Sequence, residues 1–395
     1  MDQMARRIAK RAEGLRSPKF GQIAEVRGLV SGQEEVVDLG YGEPNFHTPA
    51  HIREAGKRAI DDGYTHYVLP VEGLTPLREA VAEKLSRENG MDVDPSAEIL
   101  VIAGVQEGIN VVLLTLINPG DEVILPEPYY YSDPLGVLLA GGVPVYTKLE
   151  EDRDFRINPE DVKRKITDRT KAIFYISPNC PTGSVFQKED LEAIAQIAQQ
   201  RDIFVITDEI YEKLVYDDAQ HHSIASFPNM KDRTISMLGF SKSYAMTGWR
   251  VGYLIANRDL IKNMIEVHGQ LLIGANSIAQ RAALAAITGP QDCVEEMRMD
   301  YEARRNYFVE GLNRLGFTCK PPKGSFYIYA NISTLGMSGF DLAKRLAGDG
   351  GVIGYPGTAY TTDESGEAYI RFSYTKTKDD LQTALERIER VVRNL

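Results

Sequence analysis

Four candidate strands in the middle of the chain end in polar groups or glycine turns. Ile203–Thr207 runs into Asp208-Glu209-Ile210-Tyr211, and Thr234–Leu238 into Gly239-Phe240-Ser241-Lys242. Ile99–Ile102 leads to Ala103-Gly104-Val105-Gln106, and Ala172–Ile176 to Ser177-Pro178-Asn179-Cys180-Pro181-Thr182-Gly183. A lysine amine can act as nucleophile and proton carrier, and a glycine turn entering a helix can cradle an anion. Taken singly, each group has a plainer reading. An aspartate after a strand caps a helix, a lysine is a solvated surface charge, and Pro-Thr-Gly is a turn. Arg250 beside Trp249 reads as a side chain lying over an aromatic ring. The joint arrangement points to a site, because functional groups gather past the carboxyl ends of strands in open α/β sheets.

The elements that would position these groups alternate short Val/Ile-rich runs with amphipathic segments, the pattern of a mostly parallel sheet covered by helices. Further candidate strands are Glu122–Leu125 and Val251–Ile255, and candidate helices are Gln106–Ile117 and Lys188–Gln199. The strands read apolar on both faces, as buried parallel strands do. After about residue 280 the texture changes: a charged helical stretch, Cys293–Leu315, leads into Ser325–Tyr329, Val352–Ile353 and Tyr369–Ser373. The expected architecture is α/β, a large domain over 41–285 and a smaller α+β domain over 286–395, with 1–40 joining the smaller one. A ligand-binding cleft is expected between the two.

Bulk properties narrow the function classes. At 395 residues the chain exceeds the usual reach of one hydrophobic core. A net charge of −11 argues against a broad nucleic-acid-binding face. Cys180, Cys293 and Cys319 are too few and scattered for a disulfide framework or a metal site, and no metal is expected. No run approaches the roughly eighteen apolar residues of a membrane span, and the N-terminal residues lack the apolar core of a secretory signal. A cytoplasmic enzyme is the expectation.

From Gly42-Glu43-Pro44 through Ile370-Arg371-Phe372, the chain resembles the fold-type-I aminotransferases of the aspartate, alanine and aromatic class. The most specific stretch is Ser241-Lys242-Ser243-Tyr244-Ala245-Met246-Thr247-Gly248-Trp249-Arg250-Val251-Gly252. The resemblance implies pyridoxal 5′-phosphate as cofactor, held by Lys242 as a Schiff base, and an L-amino acid and a 2-oxo acid as substrates. The freed Lys242 amine would move the substrate's proton, and Asp208 would keep the pyridine nitrogen protonated. Tyr211 would donate to the ring's phenolic oxygen, and Tyr130 would stack on the ring. Gly104, Val105 and Gln106 would cradle the phosphate with Arg250. Tyr67 would reach the phosphate of a neighbouring subunit, which implies a homodimer with shared sites. Arg371 would clamp the substrate's α-carboxylate, with Gly42 facing it where a side chain would collide.

Three positions depart from the family pattern. The family's Asn-Pro-Thr-Gly reads Cys180-Pro181-Thr182-Gly183, so either the weaker-donating thiol of Cys180 faces the cofactor or Asn179 reaches it by a local shift. Gly239 replaces a phosphate-binding serine, leaving Ser241 as the candidate for that contact. Val105 stands where some aspartate-specific relatives carry a lysine. With Tyr360, Phe326 and Ile273 expected near the pocket, this favours neutral or aromatic substrates. A lyase or decarboxylase using the same cofactor is the main rival, followed by a non-catalytic regulatory module. A nicotinamide dehydrogenase is disfavoured, because Gly40-Tyr41-Gly42 is followed by Asn45 where a third glycine is required.

Overall fold

The computed structural model describes residues 9–15 and 18–395. Seven strands form the larger sheet: β1 Ile99–Ile102, β2 Glu122–Glu127, β3 Val143–Lys148, β4 Thr170–Ile176, β5 Phe204–Asp208, β6 Thr234–Gly239 and β7 Gly252–Ile255. Their order across the sheet is β1-β7-β6-β5-β4-β2-β3. Strands β2 to β6 run parallel, and β7 runs antiparallel to its neighbours β1 and β6. The sheet is thus mostly parallel, as its apolar runs predict.

Alternate residues of one strand serve opposite apolar clusters. In β1, Leu100 and Ile102 join one cluster while Ile99 and Val101 join another. In β4, Ala172, Phe174 and Ile176 face one side and Ile173 and Tyr175 the other. Burial on both faces is the physical reason that these strands read as continuous apolar runs. Strand β3 was not among the expected strands. It is an edge strand that carries Pro144 and stays only partly buried, so its apolar signal is weak.

Strand β5 lies one residue later than Ile203–Thr207. Asp208 is its last residue and pairs with Ile176 on one side and Met237 on the other, which fixes its backbone in the ladder. The helix after β1 spans Val105–Leu116 and buries Ile109, Val112 and Leu116. Two further helices follow the expected stretches closely, at Lys188–Arg201 after β4 and at Asp292–Arg314.

A second, antiparallel sheet joins Tyr355–Pro356, Tyr369–Ser373 and Tyr327–Asn331 in that order. The last of these starts two residues after the expected Ser325, which sits in the left-handed region at a φ of 55°. Near the N-terminus, Val37–Asp38 pairs in parallel with Val352–Ile353. That pairing brings Gly40 and Gly42 beside the C-terminal elements. No helix among the described residues is long and apolar enough to cross a membrane.

Candidate active site

Lys242 follows β6 and turns into a cavity of about 420 Å³. Its Nζ donates to the carbonyl of Gly42 at 2.7 Å and lies 5.5 Å from the Phe326 ring and 5.9 Å from that of Tyr211. Burial disfavours the ammonium and pulls its pKa down to about 8. An amine so poised exists in part as the free base at neutral pH, as a proton carrier must.

Asp208 reaches the same cavity from the end of β5, and its Oδ1 accepts the Ile210 N–H at 2.9 Å. Burial raises its pKa to about 7. The neighbouring Glu209 projects from the opposite face of the strand. Its carboxylate accepts from Thr207 Oγ1 at 2.7 Å and from the Ser223 hydroxyl, and pairs with His221 Nε2 at 2.8 Å. Strand alternation therefore separates two adjacent carboxylates: one serves the cavity and the other braces the turn behind it.

An anion cradle lies beside them. Gly104, at a φ of 81°, caps the helix Val105–Leu116, whose first amides lack intrahelical partners. A Cβ at position 104 would stand 2.6 Å from Arg250 Nη2, so only glycine lets that guanidinium approach the helix end. Arg250 is held there by bonds to the carbonyls of Thr247 at 2.9 Å and Ala103 at 3.4 Å. A helix N-terminus, a guanidinium and the Ser241 hydroxyl at one cavity wall form a donor set suited to a phosphate.

Arg371 is buried at the other end. Its guanidinium donates to the Gly40 carbonyl and lies 4.6, 5.2 and 4.9 Å from the rings of Tyr327, Tyr355 and Tyr360. Its Nε has no bonding partner among the described residues, which leaves a buried donor for an incoming group. The Tyr327 hydroxyl sits 3.1 Å from that of Tyr211. Burial holds the Cys180 thiol protonated, with its pKa pushed up to about 11.

The cavity brings together Lys242, Asp208, Tyr211, Val105, Gln106, Tyr130, Cys180, Ser241, Arg250, Gly42 and Arg371. Gly104 lies directly behind Arg250. Tyr67 lies outside the cavity and is 74 % exposed. Asn179 is turned away, its Oδ1 accepting from the Thr182 amide and hydroxyl, so Cys180 is the residue of that turn facing the cavity.

The three residues expected near the pocket do not line it. Phe326 is buried behind Lys242, Tyr360 is buried beneath Arg371, and Ile273 is exposed at the end of a helix. Phe326 and Tyr360 pack around the cavity, and the tyrosines that line it besides Tyr130 and Tyr211 are Tyr41, Tyr131, Tyr327 and Tyr355.

Sequence reasoning also missed Arg27, which lines the cavity from the helix Pro18–Gly28, and Asp133. Asp133 is buried in the helix Ser132–Leu139 with Oδ1 unbonded among the described residues, and burial, then the charge of Asp208, raises its pKa well above the usual carboxylate range. An acidic residue at the head of the apolar run Pro134–Leu139 was the available signal for Asp133. Nothing comparable marked Arg27.

The family model for "aminotransferase class I and II" matches residues 34–388. An aspartate aminotransferase of Pyrococcus abyssi is 40 % identical over 94 % of this chain and 95 % of its own length. An aromatic-amino-acid aminotransferase of Thermococcus litoralis is 39 % identical over the same shares. The solved structure of Thermus thermophilus aspartate aminotransferase with maleate superposes with a TM-score of 0.90 at 38 % identity, covering 97 % of this chain and 99 % of that one. By family match, by identity along nearly its whole length and by fold, the chain belongs to the class I and II aminotransferases.

Proposed function

We propose that the chain transfers an amino group from an L-amino acid to a 2-oxo acid in two half-reactions, with pyridoxal 5′-phosphate, the cofactor of this family, held by Lys242. The observation that carries this reading is the convergence of Lys242, Asp208 and Arg371 on one cavity. When bound, the cofactor supplies an electron sink for the negative charge left at the substrate's Cα. Lys242 Nζ carries the proton to and from that carbon, a task suited to an amine whose pKa is about 8. Asp208 holds a proton on the pyridine nitrogen, and its burial keeps water from competing for that bond. Arg371 takes the α-carboxylate with a planar pair of donors, and its stacked tyrosines fix the approach.

The phosphate is assigned to Gly104, Val105, Gln106, Ser241 and Arg250. Tyr130 is assigned to the ring face, and Tyr211 and Cys180 to the edge carrying the phenolic oxygen. Gly42 leaves room beside Arg371. The exposed Tyr67 is assigned to the cofactor phosphate of a second copy of the chain, which makes the working form a homodimer. Residues 41–285 act as the cofactor-binding domain, and 286–395 with the N-terminal segment as the domain that carries Arg371. A cytoplasmic setting fits this reading.

The preferred side chain is neutral or aromatic, a reading supported by the tyrosine-rich lining and by Val105 in place of a cation. Rapid mixing of the loaded enzyme with single amino acids, followed by cofactor absorbance, tests both levels. Phenylalanine, tyrosine or a small neutral amino acid is expected to bleach the chromophore faster than aspartate or glutamate, and Lys242→Ala to abolish the response. A fast response to the acidic pair alone overturns the preference, and an unaltered response in Lys242→Ala overturns the role of the lysine.

A further inference from the structure

Arg27 reaches the cavity wall with its charge already matched. Its Nη1 donates to Asp38 Oδ2 at 2.9 Å and to the Tyr355 hydroxyl at 3.0 Å, and its guanidinium lies 4.5 Å from the Tyr41 ring centroid. Asp38 is in turn fixed by the Gly40 N–H, which bonds its Oδ1 at 2.9 Å. The Gly40 carbonyl accepts from Arg371, and the Tyr355 ring lies 5.2 Å from the Arg371 guanidinium. Two arginines thus share one short stretch of backbone and one tyrosine, but only Arg27 has a carboxylate partner on it.

We propose that the Arg27–Asp38 pair determines which substrate side chains the cavity accepts: it admits neutral and aromatic ones and disfavours a second carboxylate. This rests on the reading of the cavity as the amino-acid site and supplies a cause for its preference. A distal carboxylate approaching Arg27 also meets the negative charge of Asp38, so the attraction is that of a dipole rather than of a free cation. The carboxylate would lose its hydration without a full opposite charge in return. An aromatic ring faces no such cost. Tyr41 and Tyr355 offer it ring faces and edges, and Ile23 and Ala24 add apolar surface. Discrimination of this kind works by repulsion of the wrong ligand as much as by attraction of the right one.

The test measures kcat/KM for aspartate and for phenylalanine in the holoenzyme, and takes their ratio. Asp38→Asn keeps an oxygen for the Gly40 amide while removing the charge, and Asp38→Ser is a second neutral replacement should the first fold poorly. Both are expected to raise the aspartate-to-phenylalanine ratio about tenfold, the scale of one partly screened charge interaction. The double change Arg27→Met, Asp38→Asn is expected to cancel that gain. A ratio unmoved in both Asp38 variants, or a gain that survives the loss of Arg27, overturns the role of the pair. A wild-type enzyme faster on aspartate than on phenylalanine overturns the neutral preference instead, so the two failures are distinguishable.

Discussion

The hydroxyl of Tyr327 stands in the space that a side chain at position 42 would need. A Cβ built on Gly42 falls far inside van der Waals contact with the Tyr327 Oη and the ring carbon bearing it. The ring has little room to yield, because its hydroxyl meets that of Tyr211 and its face packs against Arg371. Gly42 also supplies the carbonyl that accepts from Lys242. Position 42 is therefore where Lys242 and Arg371 are kept in mutual register.

Gly42→Ala is expected to lower kcat/KM about a hundredfold, the cost of displacing reacting groups by about an ångström. Adding Tyr327→Phe removes the hydroxyl and should recover part of that loss. Steady-state kinetics of the single and double variants decide the point. A Gly42→Ala enzyme of normal efficiency shows that the tyrosine yields freely.

Burial of Asp208 carries a cost to folding. Its pKa is about 7 in the folded chain against 3.8 as the reference value, so the folded state holds this proton more tightly than the unfolded state does. The associated stability is complete below about pH 4 and is lost as the pH rises through about 7. Asp208→Asn never ionises and escapes that loss. The cofactor-free variant should exceed the wild type in stability by on the order of 3 kcal/mol at pH 8, with the gap closing towards pH 4. Denaturant titrations at the two pH values measure it, and an equal gap at both contradicts the burial argument.

Cys180→Asn replaces a protonated, weakly donating thiol by an amide. A stronger donor to the cofactor's phenolic oxygen favours its anionic form, so the apparent pKa of the chromophore should fall by about half to one unit. A spectrophotometric pH titration reads this directly. An unchanged titration means that position 180 does not tune the cofactor.

Tyr67→Phe removes one hydroxyl from an exposed position. If that hydroxyl reaches the phosphate in a second subunit, cofactor retention should weaken about tenfold, as expected for a hydrogen bond to a charged group. Thermal stability of the cofactor-free protein should hardly change. Retention measured by absorbance after dilution tests the assignment, and an undiminished value removes Tyr67 from the site.

Much of the fold was legible because strands buried on both faces leave an unbroken apolar signature. Strands β1, Val352–Ile353 and Tyr369–Ser373 fall where the sequence puts them. Groups placed by a strand end or a glycine turn were legible for a related reason: local backbone geometry determines where Asp208, Lys242 and Gly104 point. What escaped depends on contacts between distant segments. In an apolar run such as Phe326-Tyr327-Ile328-Tyr329, sequence does not tell which aromatic faces the cavity. Phe326 was expected near the pocket and packs behind Lys242, while Tyr327 lines it. The choice between Asn179 and Cys180 turned on hydrogen bonds inside a turn, and Arg27 on a helix that docks against the C-terminal elements.

The two-residue pairing of Val37–Asp38 with Val352–Ile353 has a consequence for the order in which a newly made chain becomes a catalyst. During synthesis Gly40 and Gly42 emerge first, and their walls, Tyr327, Tyr355 and Arg371, emerge last. The central sheet and Lys242 are complete long before then. Closing so long a loop is a slow, non-local event, and it is also the event that builds the Arg371 end of the cavity. A nascent chain can therefore own Lys242 and the sheet behind it while the cavity still stands open, and the pocket is complete only once the walls around Arg371 have docked.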